Sequence, residues 1–144
     1  MLSNRRTVRI EWGDCDPAGI VFYPRYFAMF DHSTVLLIER ALGMTKQALY
    51  TTYEFAGYPV LESRARFLAP TRFCDDVTIE STFTKVGRTS FSVQHRLMKD
   101  NAVAVEASET RVWVVRDSTR PGGFRAQPLP AEVAAKFSAA TAPA

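Results

Sequence analysis

Two carboxylates stand two positions apart in a loop that precedes a run of aromatic residues. The segment Ile10 to Pro24 reads IEWGDCDPAGIVFYP and contains Asp14 and Asp16. An Asp in a turn bonds its own backbone two residues on, and one such residue is enough to leave a strand. A carboxylate between a strand and a helix start can instead face a substrate whose carbonyl oxygen points at unpaired N–H groups around Phe22 and Tyr23. The residue types alone leave both uses open.

The chemistry that suits such a loop is cleavage of a thioester. Its thiol leaving group has a pKa near about 8.5, so one carboxylate and a few N–H donors are sufficient and no strong acid is needed. Apolar side chains close to the carboxylates would exclude water and form a flat slot. These are Ile20, Val21, Phe22, Tyr23 and Tyr26.

Other hydrolytic chemistries fit the chain poorly. It has only two histidines, no G-x-S-x-G motif and no metal-ligand spacing, which disfavours a Ser-His-Asp triad and zinc hydrolysis. His95 falls on an apolar strand face and is expected to be a core residue, whereas His32 is expected to be solvated. An aspartyl phosphotransferase needs alternating strands and helices, which the sequence lacks. We expect no metal and no organic cofactor.

The composition sets broad limits on the protein. It has 144 residues, 47% of them hydrophobic, and a formal charge of +3, which predicts one domain over residues 1–144 and no nucleic-acid partner. No apolar stretch is long enough to span a membrane. Two cysteines, Cys15 and Cys74, form neither a disulfide framework nor a metal site, so we expect free thiols in a cytoplasmic protein.

Hydrophobic periodicity predicts one long helix followed by strands. Spacings of three and four place Phe27, Phe30, Thr34, Leu37, Ile38 and Ala41 on one face of a helix over Pro24–Leu42. Alternation predicts strands over Thr7–Trp12, Val60–Phe67, Asp76–Lys85, Thr89–Met98 and Ala102–Arg116. A helix over Thr45–Tyr53, a return strand over Phe124–Gln127, a helix after Pro130 and a frayed tail over 139–144 complete the prediction. The class is α+β, a curved antiparallel sheet wrapped around one long helix.

The end of the last long strand suggests an oligomer. Val112 and Val114 alternate there with Trp113 and Val115, so both faces carry apolar residues. A single helix covers only one face of a sheet. We therefore expect a partner subunit to cover part of the other face.

The run IEWGDCDPAGIVFYPRYFAMFDHS resembles the N-terminal signature of the hot-dog-fold 4-hydroxybenzoyl-CoA thioesterase family. The positions that match the family pattern are Asp16, Gly19, Tyr23, Tyr26, Phe30 and Asp31. The segments FLAPTRFCDDVTIES and VGRTSFSVQHRL resemble later strands of the same family. The resemblance implies a hot-dog fold, edge-to-edge dimers that often pair into tetramers, and active sites at the dimer interface.

The resemblance also implies roles for individual residues. Asp16 would be the catalytic carboxylate, as nucleophile or general base, and the backbone N–H of Tyr23 would polarise the thioester carbonyl. Asp31 would touch a polar substituent of the acyl group, or merely favour the helix dipole. The residues assigned to substrate binding are Asp31, Gly19, Tyr26, Arg88 and Ser90. Arg88 is the preferred contact of the CoA phosphates, with Arg64, Arg66, Arg116 and Arg120 as alternatives.

The predicted function is hydrolysis of an aromatic acyl-CoA such as 4-hydroxybenzoyl-CoA. Relatives that act on aliphatic substrates tend to carry His in place of Pro24 and Glu in place of Asp31, so the resemblance favours the aroyl branch. A short-chain aliphatic thioesterase and a non-catalytic acyl-CoA-binding protein stay as alternatives. A dehydratase on the same fold would require a histidine in the slot, which neither histidine of this chain is obviously placed to supply.

Overall fold

A five-stranded antiparallel sheet packs against one long helix in the computed structural model, which describes residues 2–140. The elements in chain order are β1 (Ser3–Arg9), α1 (Pro24–Leu42), α2 (Lys46–Thr52), β2 (Val60–Phe67), β3 (Asp76–Val86), β4 (Ser90–Lys99), β5 (Ala102–Val112), β6 (Val114–Arg116), β7 (Phe124–Ala126) and α3 (Ala131–Ala140). A short 3-10 turn over Trp12–Asp14 follows β1. The predicted α+β class is confirmed.

The long helix α1 has the bounds that the sequence predicts. Pro24 occupies its first position, where the missing N–H removes no helical hydrogen bond. Gly43 ends it with φ of +67°, and its N–H donates to the carbonyl oxygen of Glu39 at 2.8 Å. The predicted stripe faces the sheet, because Phe30, Thr34, Leu37 and Ile38 are all buried. These contacts fix where the first turn of the helix lies.

The sheet has the strand order β1-β3-β4-β5-β2, and every pairing is antiparallel. Register shifts interrupt three of the strand pairs, after Val60, Phe83 and Leu97. Such bulges bend a strand and increase its twist, so they help the sheet curve around α1. The order leaves β2 at one edge, beside β5 only.

The core has two parts along α1. Near the start of the helix, Tyr26 and Phe30 pack with Ile79, Leu97 and Val105 from the sheet. Beyond the middle of the helix the core is more aromatic and includes residues of α3. Its members include Leu37, Phe83, Phe91, Trp113 and Phe137. The helix α3 therefore closes the far end of the core, and the Tyr23 end of α1 is left for other contacts.

Two predicted strands differ from the structure by more than one residue at an end. The first begins earlier, at Ser3, and ends at Arg9, so Trp12 lies in the following turn with 71% of its surface exposed. The last long strand ends at Val112, because the N–H of Trp113 turns to the carbonyl oxygen of Thr89 at 2.8 Å. The next residues, Val114–Arg116, pair with β7 in a separate two-stranded sheet. Of the predicted frayed tail, 139–140 belong to α3 and 141–144 lie outside the described residues.

The argument for a partner from the end of the last strand is wrong. Val112, Val114 and Val115 are at most 9% exposed, because their own chain covers them. The N–H groups of Val112 and Val114 donate to the carbonyl oxygens of Pro59 and Gly57, at 3.1 and 3.0 Å. The segment before β2 thus folds over these residues.

Exposed apolar surface lies instead on β2 and next to the start of α1. Val60, Leu61, Phe67 and Leu68 are 44 to 65% exposed, and Tyr23 is 58% exposed. Every residue of β2 except the half-buried Ala65 is exposed. Within residues 2–140, no helix is both long and apolar enough to cross a membrane.

Candidate active site

The two carboxylates of the loop have different structural roles. Asp14 accepts a hydrogen bond through Oδ2 from the N–H of Glu11 at 2.9 Å, across the 3-10 turn that ends the first strand segment. Its carbonyl oxygen accepts a second bond, from the N–H of Phe22 at 2.8 Å. Asp14 is therefore occupied in shaping the loop.

Asp16 uses one carboxylate oxygen to stabilise a turn and keeps the other as a free acceptor. Its Oδ1 accepts the N–H of Ala18 at 2.8 Å, and its carbonyl oxygen accepts the N–H of Gly19 at 2.9 Å. Gly19 has φ of +79°, which L-residues rarely adopt, so this glycine allows the turn to close. The N–H of Gly19 is consumed by the turn and is not a free donor. Oδ2 of Asp16 has no hydrogen-bond partner among residues 2–140, so it is available to a substrate.

One backbone donor is left at the tip of α1. The expectation that the N–H of Phe22 is free is wrong, because it donates to the carbonyl oxygen of Asp14. Pro24 has no N–H, and the next two amides donate to carbonyls of the same turn. Within the described part of the chain, the N–H of Tyr23 has no acceptor. The positive end of the helix dipole adds to its electrostatic field.

A cavity of about 360 Å³ lies beside this donor, between the start of α1 and the end of β2. Tyr23, Tyr26, Phe67 and Leu68 are among the residues that line it. The ring centroids of Tyr23 and Tyr26 lie 5.9 and 5.8 Å from that of Phe67. The Tyr26 hydroxyl is bonded to Oγ1 of buried Thr71 at 2.7 Å, so Tyr26 offers the cavity its ring.

This arrangement could polarise a carbonyl group and hold an aromatic ring next to it. Aromatic rings prefer edge-to-face or offset packing at such distances, and Tyr23 already packs edge-to-face on Phe67. Asp16 does not line this cavity within one chain. Phe67 was not among the predicted site residues, although its position at the end of an edge strand next to Leu68 marks an apolar surface there.

The remaining predicted residues are spread over the fold. Asp31 lies two turns into α1, with its side chain 61% exposed. Arg88 and Ser90 lie at the β3–β4 turn, and Ser90 pairs with Val112 of β5, whereas Phe67 pairs with Val105. The two partner residues on β5 are seven residues apart along the strand, a distance of about 24 Å. One chain therefore does not bring Arg88 and Ser90 to the Tyr23 cavity.

A buried polar network lies between α1 and the sheet, and the sequence analysis missed it. Nε and Nη2 of Arg111 donate to the two carboxylate oxygens of Glu109, at 3.0 and 3.2 Å. Nη2 also donates to Oδ1 of Asp31 at 2.7 Å. Thr34 donates its hydroxyl proton to Oε1 of Glu109. The side chains of Glu109 and Arg111 are each only 5% exposed.

His95 continues this network, as the expectation of a core histidine requires. Its ring is fully buried and stacks on Phe30 with centroids 4.9 Å apart. Nδ1 lies 2.7 Å from Oγ of Ser81, and Nε2 lies 3.1 Å from Oγ1 of Thr34. Since the single hydroxyl proton of Thr34 goes to Glu109, Nε2 of His95 is the donor in its bond to Thr34. His32 is exposed, as predicted.

Charge pairing decides the ionisation of Glu109. Burial alone would raise the pKa of this carboxyl. Hydrogen bonds from His95, Arg111 and Thr34 and the charge of Arg111 outweigh burial and lower the pKa to about 2. The pKa of Arg111 is raised, because its bonds and charge interactions with Glu109 and Asp31 outweigh burial, which would lower it. Both groups are ionised at neutral pH.

A signal in the sequence could have revealed the network. Period two places Glu109 and Arg111 on the same face of β5 as Val105 and Ala107, which is the apolar face. Two opposite charges on an inward face predict a buried ion pair, because an unpaired buried charge is too costly.

The described residues contain no cluster of three or more His, Cys, Asp or Glu side chains that could hold a metal ion. Cys15 and Cys74 are free cysteines, as the sequence predicts. Burial, followed by the charges of Asp14 and Asp16, raises the pKa of the Cys15 thiol.

Comparison with known proteins defines the class. The family model of the thioesterase-like superfamily matches residues 10–137, and the chain belongs to this superfamily. The chain is 32% identical over 130 residues to 4-hydroxybenzoyl-CoA thioesterase from Pseudomonas sp. strain CBS-3, covering 86% of this chain and 89% of the relative. The crystal structure of that enzyme superposes with a TM-score of 0.83 at 29% identity, covering 93% of this chain and 98% of that one.

Two further proteins widen the comparison. Acyl-CoA thioester hydrolase YbgC of Escherichia coli O6:H1 is 26% identical over 133 residues, covering 92% of this chain and 94% of the relative. The structure of a gentisyl-coenzyme A thioesterase superposes with a TM-score of 0.80 at 28% identity, covering 93% of this chain and 99% of that one. The predicted hot-dog fold, family and enzyme class, an acyl-CoA thioesterase, are confirmed.

The lowered pKa of Glu109 predicts how stability depends on pH. A carboxyl with a depressed folded-state pKa contributes stability above its unfolded pKa of about 4.3, and this contribution is lost as pH falls toward about 2. The groups that face it are Thr34, His95 and Arg111, with Asp31 behind Arg111. Urea unfolding of wild type and Glu109→Gln should therefore differ most near pH 6, and the difference should shrink between pH 4.5 and 2.5. A difference that is independent of pH over this range would contradict the assignment.

Proposed function

We propose that this protein hydrolyses an aromatic acyl-CoA thioester such as 4-hydroxybenzoyl-CoA to the free acid and CoA. The observation that carries the proposal is that Asp16 keeps one free carboxylate oxygen in the loop that leads, seven residues further on, to the unpaired N–H of Tyr23 at a helix tip. An aromatic cavity adjoins that donor. Relatives named for aroyl-CoA substrates, 4-hydroxybenzoyl-CoA and gentisyl-CoA, support the substrate class.

In the proposed reaction the N–H of Tyr23 binds the thioester carbonyl oxygen and stabilises the negative charge that develops on it. Oδ2 of Asp16 either attacks the carbonyl carbon, giving an acyl anhydride that water cleaves, or takes a proton from an attacking water. The thiolate of CoA leaves without an acid, since its pKa is near about 8.5. Neither route requires a metal or an organic cofactor.

A second copy of the chain completes the proposed site. The edge strand β2 exposes Val60, Leu61 and Phe67, and its unpaired backbone groups form a template for another strand. We infer a dimer in which two copies of β2 pair antiparallel, with tetramers as pairs of such dimers. The Val60 end of one strand then lies beside the Phe67 end of the other. Pairing of this kind brings Arg88 of the partner subunit to the end of the sheet that holds Tyr23.

The alternatives make different demands on the site. A non-catalytic acyl-CoA sensor has no use for a carboxylate with a free oxygen in the loop that precedes an unpaired amide. A short-chain aliphatic thioesterase has no use for three aromatic rings along the cavity. A cytoplasmic location is part of the proposal and rests on the two free cysteines. A screen of thiol release from benzoyl, hydroxybenzoyl, phenylacetyl and short aliphatic CoA thioesters distinguishes the aroyl-CoA thioesterase from the sensor and from the aliphatic thioesterase.

Asp16→Asn should lower kcat for the preferred aroyl-CoA by at least about 100-fold, because the amide is neither a nucleophile nor a base. The turn should persist, since the amide oxygen still accepts the N–H of Ala18. Asp14→Asn is the matched control in the same loop and should change kcat far less. Circular dichroism of both variants checks the fold, and wild-type turnover by Asp16→Asn would exclude the catalytic role.

Arg88→Ala should raise KM for full CoA substrates and leave KM for the matching pantetheine thioester unchanged, because only CoA carries the nucleotide phosphates. The control is Arg5→Ala, which removes another exposed arginine, from the edge strand β1. Equal changes for both thioesters would remove Arg88 from the nucleotide site.

Sedimentation velocity at micromolar concentration should show a dimer or tetramer. Leu61→Asp should shift the distribution toward monomer, because Leu61 is 65% exposed on the proposed interface strand. Thr7→Asp, on the far edge strand β1, is the control and should leave the distribution unchanged. A wild-type monomer at this concentration would refute the shared site.

A further inference from the structure

The free N–H of Tyr23 belongs to a peptide unit whose orientation is set by the first turn of α1. Because a trans peptide unit is planar, the N–H of Tyr23 and the carbonyl of Phe22 point in opposite directions. That carbonyl accepts the N–H of Arg25 at 2.8 Å, and the carbonyl of Tyr23 accepts the N–H of Tyr26 at 3.1 Å. A contact that fixes this turn therefore fixes the direction of the free donor.

The helix lacks the side-chain cap that usually orders a first turn. Tyr23 precedes the helix and makes no side-chain cap hydrogen bond, whereas Thr45 caps α2 by accepting the N–H of Ala48. In a capping box, Glu or Gln at the third helical position would accept the N–H of the cap residue. The third position of α1 is Tyr26, so no capping box takes the N–H of Tyr23. Another part of the fold has to order this turn.

Thr71 holds the turn on both sides of the free donor. Its Oγ1 shares a hydrogen bond with the Tyr26 hydroxyl at 2.7 Å, and its carbonyl oxygen accepts the N–H of Val21 at 2.9 Å. Thr71 is fully buried, and Val21 and Tyr26 are each 4% exposed. Water is therefore not at hand to replace either hydroxyl of the pair, and breaking their bond leaves a buried polar group unsatisfied.

The segment between β2 and β3 that carries Thr71 is itself fixed at both ends. Before Thr71, the N–H of Leu68 donates to the carbonyl oxygen of Ala104 in β5 at 2.8 Å. After it, the carbonyl oxygen of Asp75 accepts the N–H of Ile10 at 2.8 Å. Thr71 is thus tied to the sheet and not only to the helix, so it can serve as an anchor for the turn.

We propose that Thr71 is a positioning residue, which acts through the Tyr26 hydroxyl to hold the N–H of Tyr23 in the direction that the transition state of thioester hydrolysis requires. This inference rests on the proposed function. Neither hydroxyl is free for the substrate, since each is bonded to the other. When their bond is lost, the turn samples other orientations, and the donor stabilises the developing charge less. The pair thus acts on kcat and not on substrate affinity.

The first test removes the hydrogen bond from either side. Tyr26→Phe keeps the ring in the cavity, and Thr71→Val keeps the shape of the buried side chain. Each should lower kcat for the preferred aroyl-CoA by about 10- to 100-fold and leave KM unchanged. The double variant should lose no more than the single variants, because all three lack the same bond. Thr71→Ser keeps the hydroxyl and should restore kcat to near the wild-type value.

The carbonyl stretching frequency of a bound analogue separates positioning from folding. The probe is a ketone analogue of the aroyl-CoA, with CH2 in place of the thioester sulfur and carbon-13 at the carbonyl. A hydrogen bond to the carbonyl oxygen lowers this frequency, so infrared spectra should show the labelled band at higher wavenumber in Tyr26→Phe and Thr71→Val than in wild type and Thr71→Ser. A variant that only loses stability keeps the wild-type band in its folded fraction.

Thr110→Val is the matched control. It removes another hydrogen bond between two hydroxyl groups, the one that Thr110 of β5 makes with Ser92 of β4 at 3.0 Å. Period two places Thr110 on the opposite face of β5 from buried Glu109 and Arg111. This variant should keep kcat, KM and the labelled band at their wild-type values.

The outcomes distinguish this inference from the proposed function. If wild type hydrolyses no aroyl-CoA, the proposed function is wrong and the positioning role with it. If wild type is active and Tyr26→Phe keeps its kcat, or loses kcat without a shift of the labelled band, Thr71 has a structural role only and the proposed function stands. Tyr26→Phe decides the question even if Thr71→Val fails to fold, because it removes the same bond with the ring in place.

Discussion

The first turn of α1 is fixed to the rest of the fold at Thr71. The N–H of Val21 donates to the carbonyl oxygen of this fully buried residue at 2.9 Å, and the Tyr26 hydroxyl bonds its Oγ1 at 2.7 Å. These two bonds lie on either side of Tyr23 in the sequence. They hold the helix tip, the loop of Asp16 and the cavity in one rigid arrangement, and an amide in a fixed position stabilises developing charge without reorganising.

The interface between α1 and the sheet is partly charged where an apolar core would be sufficient. Replacing a buried ion pair by hydrophobic residues is often neutral or stabilising, so Glu109 and Arg111 are not explained by stability alone. Their network runs from Ser81 through His95 and Thr34 to the surface at Asp31. It joins the middle of the sheet to the exposed carboxylate of Asp31 on the helix.

Much of the fold follows from local patterns in the sequence. The bounds of α1 and β2 are as predicted. A hydrophobic period of 3.6 residues together with Pro24 and Gly43 marks the helix, and a run of residues without Gly or Pro marks the strand. The break at Trp113 was not predictable from alternation, since it depends on hydrogen bonds to Thr89 and to the segment before β2. Tertiary contacts of this kind leave no local trace.

The candidate site could be predicted from the sequence only in part. Resemblance and loop chemistry pointed to Asp16 and Tyr23. The folded chain adds that the N–H of Phe22 donates to the carbonyl oxygen of Asp14 and that, within residues 2–140, the N–H of Tyr23 has no acceptor. In the proposed dimer, the position of Arg88 relative to Tyr23 of the other subunit depends on which edge strands pair, and a single sequence contains no information about that.

The two tryptophans occupy opposite environments, and this gives the protein a built-in optical probe. Trp12 is 71% exposed, two residues from Asp14, with its ring edge-on to Phe73 at 5.5 Å, whereas Trp113 is completely buried. Indole emission shifts to longer wavelength in water. The red part of the fluorescence spectrum therefore reports on the loop around Asp14 and the blue part on the core, so a rearrangement of this loop can be distinguished from unfolding in a single spectrum.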